Sequence, residues 1–408
     1  MTDWNKSPQQ DIHGALEDSA LNASNGAPRG PGVKDVARRA GVSVGTVSNV
    51  INDRKTVRPD IRERVLAAIN ELGYVPNSTA QALRRGISPL IGVAVLDLRN
   101  PFFMEAAAGM ERRLSQDGCI MALSSTNSDI DTEARLLRTF ANQSPRGLLL
   151  TPSDPELTTA RELVLRGIPV VLFDCPDTPE DMSSVNVDDR AGAQLAIRHL
   201  LNLGHRNIAF LNGPSKVRQA KDRFNGAKGS IEYHNARSNS NATLTLHETS
   251  AFTIEAGRAT MRSLLQDHNI PFHQGINGAS TPNSSLTPHF LPTNFPTAIF
   301  CANDLIAFGA MTVLRDAGIR IPEDVSLVGF DDIPLAPQVS VPLTTIRQPM
   351  DELGWAAASL LLEARKPGAR IRHERFYPTL ENRASTAPPR PLRASSSEPT
   401  FVAAAWHG

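Results

Sequence analysis

The stretch from Val33 to Asn52 places the strongest local constraint on the fold. Its apolar residues recur at helical spacing on the inner faces of two short segments: Val36, Ala37, Ala40, Val47, Val50 and Ile51. Gly41 can adopt the positive φ that ends the first helix, and Ser43 can cap the second. The open side of the second helix carries Val44, Gly45, Thr46, Ser48 and Asn49. The spacing predicts a helix-turn-helix whose second helix enters a DNA major groove.

An ordinary αα-hairpin would share the tight glycine turn, so the residues that follow decide between the two interpretations. A third amphipathic helix is predicted from Ile61 to Leu72, and Gly73 ends it. Between residues 33 and 86 there are ten Lys and Arg against five Asp and Glu, although the whole chain has a formal charge of zero. This local positive charge favours a surface that faces DNA phosphates.

Several motifs of this region stand together at one family's spacing: Asp35-Val36-Ala37, Ala40-Gly41-Val42-Ser43, Thr46-Val47-Ser48, Arg62-Glu63-Arg64-Val65 and Leu72-Gly73-Tyr74-Val75-Pro76-Asn77. In these residues the chain resembles the LacI/GalR family of bacterial transcription repressors, and the resemblance continues to about residue 385. It implies an N-terminal all-α helix-turn-helix head followed by a two-lobed α/β core like a periplasmic binding protein, a clamshell.

The expected organisation follows from composition and from this resemblance. Residues 1–32 lack a hydrophobic period and a signal-peptide core and are expected to be a disordered extension. The head is expected at 33–75, a hinge at 76–88, the core at 89–385 and a disordered tail at 386–408. Within the core, the first lobe is expected at about 89–187 and 346–374, and the second at about 188–345 and 375–385.

The hinge by itself is a polar linker. The resemblance implies that it becomes a short helix when two subunits sit on DNA, with Leu83 wedged into the minor groove. Asn77, Ala80 and Gln81 are then expected to contact DNA as well. An apolar wedge kinks the duplex at a cost of a few kcal/mol, which wider contact offsets.

From Leu90 onward, apolar runs typical of buried parallel strands alternate with helical patterns, which predicts doubly wound α/β sheets. Strands are expected at 90–96, 119–124, 147–151, 169–173, 207–211, 242–246, 297–301 and 326–330. Helices are expected at 102–116, 132–143, 156–166, 191–203, 215–230, 253–266 and 304–317. The resemblance implies that the segment 342–349 is a crossover, with the chain passing between lobes near Val187, near Thr345 and near Glu374.

Ligands of such sheets bind at the carboxyl ends of strands, where Asp174, Asp304 and Asp331 can accept hydrogen bonds from hydroxyls. Phe102 and Phe103 offer surfaces on which a ring can stack, although core packing is an alternative role for either. The remaining effector candidates are Arg223, a planar set of donors, and two positions that the resemblance adds: Phe252 and Asn303. Asp304 could instead serve only the start of its helix.

The chain departs from the family at three places. Asn49 stands where many members carry arginine, which favours an adenine edge in the operator. The stretch 267–295 is longer and richer in Asn, Pro, Ser and Gly than usual, and a surface loop is expected there. The C-terminal residues lack leucine heptads, so a homodimer is expected rather than a coiled-coil tetramer.

Other function classes fit less well. The sequence has no phosphate-binding loop, no nucleophile elbow and no metal-ligand spacing, so neither an enzyme nor a cofactor is expected. A solute-binding protein would need an export signal and no helix-turn-helix. Three scattered cysteines indicate buried thiols in the reducing cytoplasm, and no membrane segment is expected. The sequence therefore predicts a cytoplasmic repressor that binds operator DNA under control of a small effector, a sugar or alternatively a purine or other metabolite that acts as corepressor.

Overall fold

The structure is a computed structural model that describes residues 31–51, 57–74, 88–176, 179–271 and 291–390. The chain divides into two compact units, residues 1–86 and 87–408. The predicted extension up to residue 30, the hinge residues Asn77, Ala80, Gln81 and Leu83, most of the 267–295 stretch and the tail from 391 lie outside the described residues.

The first unit contains α1 (Val33–Ala40), α2 (Val44–Ile51) and α3 (Pro59–Leu72). Gly41 ends α1 with a φ of 65°, and the Ser43 hydroxyl accepts a hydrogen bond of 3.0 Å from the amide of Thr46 at the start of α2. The three helices share a small apolar core of Val36, Ala37, Ala40, Val47, Val50, Val65 and Ala68. The predicted helix-turn-helix is confirmed, down to its glycine turn and serine cap.

The second unit contains twelve strands and eight helices among its described residues. The strands are β1 (Leu90–Val95), β2 (Ile120–Ser125), β3 (Gly147–Leu150), β4 (Val170–Phe173), β5 (Ser183–Val187), β6 (Asn207–Asn212), β7 (Thr243–Glu248), β8 (Ala298–Cys301), β9 (Ser326–Asp331), β10 (Thr344–Arg347), β11 (His373–Phe376) and β12 (Thr379–Glu381). The helices are α4 (Pro101–Ser115), α5 (Ile130–Asn142), α6 (Thr158–Leu165), α7 (Asp189–Leu203), α8 (Arg218–Ser238), α9 (Ile254–Asp267), α10 (Asp304–Asp316) and α11 (Met350–Glu363).

The strands form two six-stranded sheets, one per lobe. The first has the order β11-β5-β4-β3-β1-β2 and the second the order β12-β10-β9-β8-β6-β7. All neighbouring strands are parallel except β12, which runs antiparallel to β10. Strands β1, β3, β4, β6, β8 and β9 are buried along nearly their whole length, as helix-covered parallel strands require. The predicted two-lobed α/β core is confirmed.

The chain passes between the lobes after Val187, after Arg347 and after Phe376. Strand β10 pairs with β9 up to Arg347, and β11 pairs with β5 up to Phe376. The approximate lobe boundaries expected from the sequence, near Thr345 and near Glu374, lie within these two strands, two residues before the strands end. Crossings occur where a strand ends, because pairing with the sheet holds the chain until then.

Several core elements were not predicted. Strands β5, β11 and β12 and helix α11 were not assigned, and β10 was assigned only as a crossover. Strands β5 (Ser-Ser-Val-Asn-Val) and β11 (His-Glu-Arg-Phe) carry too many polar residues to form an apolar run. Helix α8 runs to Ser238, eight residues beyond its predicted end at 230. The prediction stopped too early because the last two turns of this helix are polar and show no apolar stripe.

The predicted tail begins too early. The Thr386 hydroxyl forms a hydrogen bond of 2.9 Å with His199 Nε2, and His205 Nε2 lies 2.8 Å from the carbonyl oxygen of Ala387. His205 is buried, and burial lowers its pKa to about 4. Residues 385–387 are attached to the second lobe by hydrogen bonds of the Ser385 and Thr386 side chains and of the Ala387 backbone, which leave no hydrophobic pattern in the sequence.

The three cysteines are free and buried, as predicted. Within the described part of the chain, no helix combines the length and the hydrophobicity that a membrane crossing requires.

Helices α4 and α11 of the first lobe approach each other closely through two glycines. A Cβ added at Gly354 would lie 1.9 Å from the carbonyl oxygen of Ala106, and one at Gly109 would lie 2.1 Å from that of Asp351. Both obstacles are backbone atoms, which cannot rotate away.

We therefore predict that Gly354→Ala destabilises the protein by ~1–3 kcal/mol or more, because the two helices must separate. Gly229→Ala in α8 is the matched control, since a Cβ there meets nothing within 4 Å. That change should instead stabilise by up to ~1 kcal/mol through helix propensity. Melting temperatures of the three proteins measure both effects; a Gly354→Ala protein as stable as the parent would contradict the close approach.

Candidate functional site

The start of α2 is accessible, as a DNA-reading helix requires. Val44 and Gly45 are exposed, and Thr46, Ser48 and Asn49 are half-buried. Val47 and Val50, on the other face, are fully packed against α1 and α3. The helix thus presents the five predicted residues away from the core of the head, and their contact with DNA stays a prediction.

A cavity of ≈ 180 Å³ lies between the two lobes, next to the carboxyl ends of several strands. It brings together seven of the eight predicted effector residues: Phe102, Phe103, Asp174, Arg223, Phe252, Asn303 and Asp331. Asp304 is not among the lining residues. Residues that sequence reasoning did not single out also line it, among them Lys216, Gln219 and Gln348.

Phe102 and Phe103 reach the cavity from the first turn of α4. Asn100 caps this helix, its side chain accepting a hydrogen bond of 3.1 Å from the Phe102 amide, and Pro101 occupies the first helical position. The two rings meet edge to face with centroids 5.1 Å apart. Both side chains are at most 5% exposed and both line the cavity. Each phenylalanine therefore packs in the core and also lines the cavity, two roles that the sequence left as alternatives.

Asp174 follows β4 and connects the lobes. Gln219, on α8 of the second lobe, donates to the Asp174 carbonyl at 2.7 Å and to its carboxylate at 2.9 Å. Burial raises the pKa of Asp174 well above its usual range, and the Asp189 carboxylate raises it further. The backbone of Asp174 has a φ of 51°, in the left-handed region that costs a residue other than glycine some strain.

Arg223 is the buried cation of the site. Its Nε donates to Asp189 Oδ1 at 2.8 Å, its Nη1 donates to the carbonyl of Ala302, and its guanidinium carbon lies 3.8 Å from the centre of the Phe330 ring. Burial alone would lower the pKa of Arg223, but the carboxylates of Asp189 and Asp331 raise it above its usual value. A permanently charged guanidinium is thus held between α7, α8 and the cavity.

Asp331 is the last residue of β9, and it accepts a hydrogen bond from Gln348, which follows the end of β10. Gln348 donates to Asp331 Oδ1 at 2.7 Å, and Arg223 lies 3.9 Å away. Burial raises the pKa of Asp331 to about 7, although Arg223 and Gln348 both favour the ionised form. Among the described residues, the buried Oε1 atom of Gln348 has no hydrogen-bond partner.

Asn303 and Asp304 have different roles. Asn303 caps α10 through a 2.9 Å hydrogen bond from the Ile306 amide, and it still lines the cavity. Asp304 instead accepts from the Ile333 amide at 2.9 Å and from the Thr345 hydroxyl at 2.6 Å. Asp304 thus stabilises β10 and the turn after β9, and its contact with an effector stays a prediction.

The Phe252 ring packs directly against Gly213, where a residue with a side chain would not fit. A Cβ at Gly213 would lie 2.1 Å from the Phe252 ring. The signal for this contact in the sequence is the glycine directly after β6, at a strand end where ligands of open sheets bind.

The cavity offers aromatic walls, the buried guanidinium of Arg223, the more exposed cations of Arg99 and Lys216, and several buried acceptor oxygens. At ~10–15 Å³ for each water-sized occupant, its volume holds a molecule of about 12 to 18 heavy atoms, enough for a monosaccharide or a purine base. In the described residues, no group of three or more His, Cys, Asp or Glu side chains could hold a metal ion. The arrangement suits binding of a small, neutral molecule rich in hydrogen-bond donors.

The Asp189–Arg223 pair yields a stability prediction. Asp189→Asn removes the charge that balances a buried guanidinium, and we expect a loss of ~3–5 kcal/mol. Glu232→Gln is the control, because its pair with Lys228 lies on the surface and is worth at most ~1 kcal/mol. Urea unfolding measures both changes. Equal, small losses for the two variants would show that Arg223 does not depend on Asp189.

Three family descriptions match the chain. Residues 32–77 match the bacterial regulatory proteins of the lacI family, and residues 88–271 match the periplasmic binding proteins and sugar binding domain of the LacI family. Residues 197–386 match the periplasmic binding protein-like domain.

Whole-length relatives agree with these matches. The ribose operon repressor of Haemophilus influenzae is 33% identical over 81% of this chain and 91% of that protein. The PurR repressor of Photobacterium profundum is 32% identical over 81% and 91%. The lac repressor dimer bound to operator and the anti-inducer ONPF has a TM-score of 0.72 at 28% identity, over 88% of this chain and 100% of that one.

A LacI family regulator from Enterococcus faecium with bound ribose has a TM-score of 0.60 at 30% identity, over 73% of this chain and 99% of that one. Both units of the structure are therefore found in known regulators of one family, in the same order along the chain. The chain belongs to the LacI family and is a transcriptional regulator.

Proposed function

We propose that this protein is a repressor that binds operator DNA as a homodimer in the cytoplasm and releases it when a small polyol binds the cavity. D-Ribose is the first candidate. The family relationship, the accessible start of α2 and the lac repressor dimer seen on operator DNA support the DNA-binding part. We propose no chemical step for the cavity.

The class of effector is inferred from the buried hydrogen-bond acceptors of the cavity, which outnumber the buried donors that are still available. The Asp174 and Asp331 carboxylates and the unpartnered Gln348 Oε1 line the cavity, whereas Arg223 already donates to Asp189 and Ala302. A ligand that leaves such acceptors unpaired loses affinity, so the site selects a donor-rich molecule. A pentose supplies four hydroxyl donors over an apolar ring face that can lie against Phe102. Ribose in the Enterococcus faecium relative and the name of the Haemophilus influenzae relative support the same choice.

A purine corepressor is the second candidate. The PurR relative and the paired phenylalanine rings favour it, since a flat base stacks on aromatic faces. Hypoxanthine has only two N–H donors, however, and would leave more of the buried acceptors unpaired than a pentose would.

A thermal-shift screen against D-ribose, other pentoses and hexoses, ribose 5-phosphate, hypoxanthine and guanine separates these candidates. We expect D-ribose to stabilise the protein by ~2.7 kcal/mol at 100 times its Kd, and to weaken binding to DNA from upstream of the protein's own gene. Phe102→Leu should weaken ribose binding by about tenfold through lost ring contact. Phe140→Leu is the control, because this buried ring lies in the first lobe away from the cavity.

Stabilisation by purines alone, with tighter DNA binding, would overturn the sugar assignment and leave the regulator. Equal loss of ribose affinity in the Phe102 and Phe140 variants would show that the rings act only through folding.

We propose that residues 76–88 form a hinge between head and core in which Leu83 wedges the operator's minor groove. Leu83→Ala should weaken operator binding at least tenfold and leave the Kd for the effector unchanged, because the wedge lies outside the cavity. Fluorescence anisotropy on operator DNA and calorimetry with the effector measure the two quantities. Unchanged operator affinity would refute the wedge.

A further inference from the structure

The cavity and its surroundings hold more buried carboxylates than cations. Asp174, Asp189, Asp304 and Asp331 are each at most 8% exposed, and among the described residues Arg223 is the buried cation that faces them. Four ionised carboxylates against one guanidinium would bury a large net negative charge, which costs far more free energy than protonating some of them. The cluster must therefore hold protons near neutral pH when no ligand is bound.

Asp331 is the member of the cluster that an effector can reach and whose ionisation is closely balanced. The carboxylates that oppose its ionisation are Asp174 across the cavity, Asp189 of α7 and Asp304 of α10. The groups that favour it are Arg223 of α8 at 3.9 Å, the side chain of Gln348 at 2.7 Å and the side chain of Asn100. The neighbouring Asp332 is neutralised separately, by Arg347 at 2.7 Å and Arg383 at 2.6 Å.

A second, independent feature points to a ligand at this place. Gln348 is 2% exposed, lines the cavity and uses its Nε2 on Asp331, while its Oε1 is buried without a partner among the described residues. A buried acceptor without a donor costs ~1–3 kcal/mol. Adjacent hydroxyls of one ligand can donate to this oxygen and to the Asp331 carboxylate together.

We propose that effector binding is linked to proton release from Asp331: ligand hydroxyls donate to its ionised carboxylate and to Gln348 Oε1, and the carboxyl proton passes to the solvent. This linkage rests on the proposed function, since it takes a hydroxyl-bearing ligand in the cavity. It makes the regulator respond to its effector more strongly in a neutral or slightly alkaline cytoplasm than in an acidified one.

The sign follows from the ionisation of Asp331. Burial raises its pKa to about 7 in the free protein, so the carboxyl is about half protonated at pH 7. A ligand that binds the carboxylate form must displace this proton, and its apparent Kd should be about tenfold larger at pH 6 than at pH 8.

Calorimetry of the full-length protein with D-ribose at pH 7, in two buffers of different ionisation enthalpy, counts the released protons. We expect about half a proton released per site and the tenfold change in Kd between pH 8 and pH 6. A Kd that does not change with pH, or proton uptake on binding, would overturn the proposal.

The free protein gives a test that needs no ligand. Asp331→Asn keeps the shape of the side chain and removes the titration. A buried carboxyl with a raised pKa loses stability as pH rises through that pKa, so the melting temperature of the variant relative to the parent should rise from pH 6 to pH 8. Asp131→Asn, at an exposed carboxyl of α5, should show a constant difference across this range.

Failure of the proposed effector and failure of the proton linkage give different results in these experiments. If D-ribose does not bind at any pH, the proposed effector is wrong, while the melting comparison still decides whether Asp331 titrates near neutrality. If D-ribose binds but the melting difference of Asp331→Asn is constant from pH 6 to pH 8, the proton linkage is wrong and the proposed function stands.

Discussion

The core depends on a single buried guanidinium. Arg223 reaches from α8 to the first residue of α7, where Asp189 holds it at 2.8 Å, and from there to the edge of the cavity. Its charge is what allows Asp189 and Asp331 to lie so close together in a buried space, because each carboxylate alone would be costly to bury. Because Arg223 already donates to Asp189 and Ala302, the buried acceptors of Asp331 and Gln348 are available to a ligand.

The cavity also couples the lobes mechanically. Gln219 of the second lobe holds Asp174 of the first, and Gln348, directly after the second crossing, holds Asp331. A ligand that engages both aspartates therefore changes contacts at the crossings themselves. Three crossings allow two lobes to rotate about a common axis without sliding apart, which is how hinged proteins convert ligand binding into a change of domain angle. A ligand can shift such an equilibrium only by its difference in affinity for the two arrangements.

Much of this could be predicted from the sequence, and the failures have physical causes. Asn100-Pro101-Phe102-Phe103 carries its own helix cap, so local chemistry was enough to place both rings. Asp174 and Asp331 follow apolar strands that are easily recognised. Gln348 was missed because β10 (Thr-Thr-Ile-Arg) is not an apolar run, so the rule about strand ends was never applied to it. Asp304 stands at a strand end too, but its carboxylate is bound by Ile333 and Thr345, partners that only the tertiary fold brings near.

Effector binding in the cavity and operator binding by the head are proposed to be coupled, so that each changes the free energy of the other. The direct measurement is the affinity of D-ribose for the free dimer and for the dimer bound to operator DNA, by calorimetry under identical salt and pH. Linkage requires the ratio of these affinities to equal the factor by which ribose changes operator affinity. We predict clearly weaker ribose binding to the operator complex than to the free dimer. Equal ribose affinity for the free and the DNA-bound protein would contradict it, because such a ligand cannot change the protein's affinity for DNA.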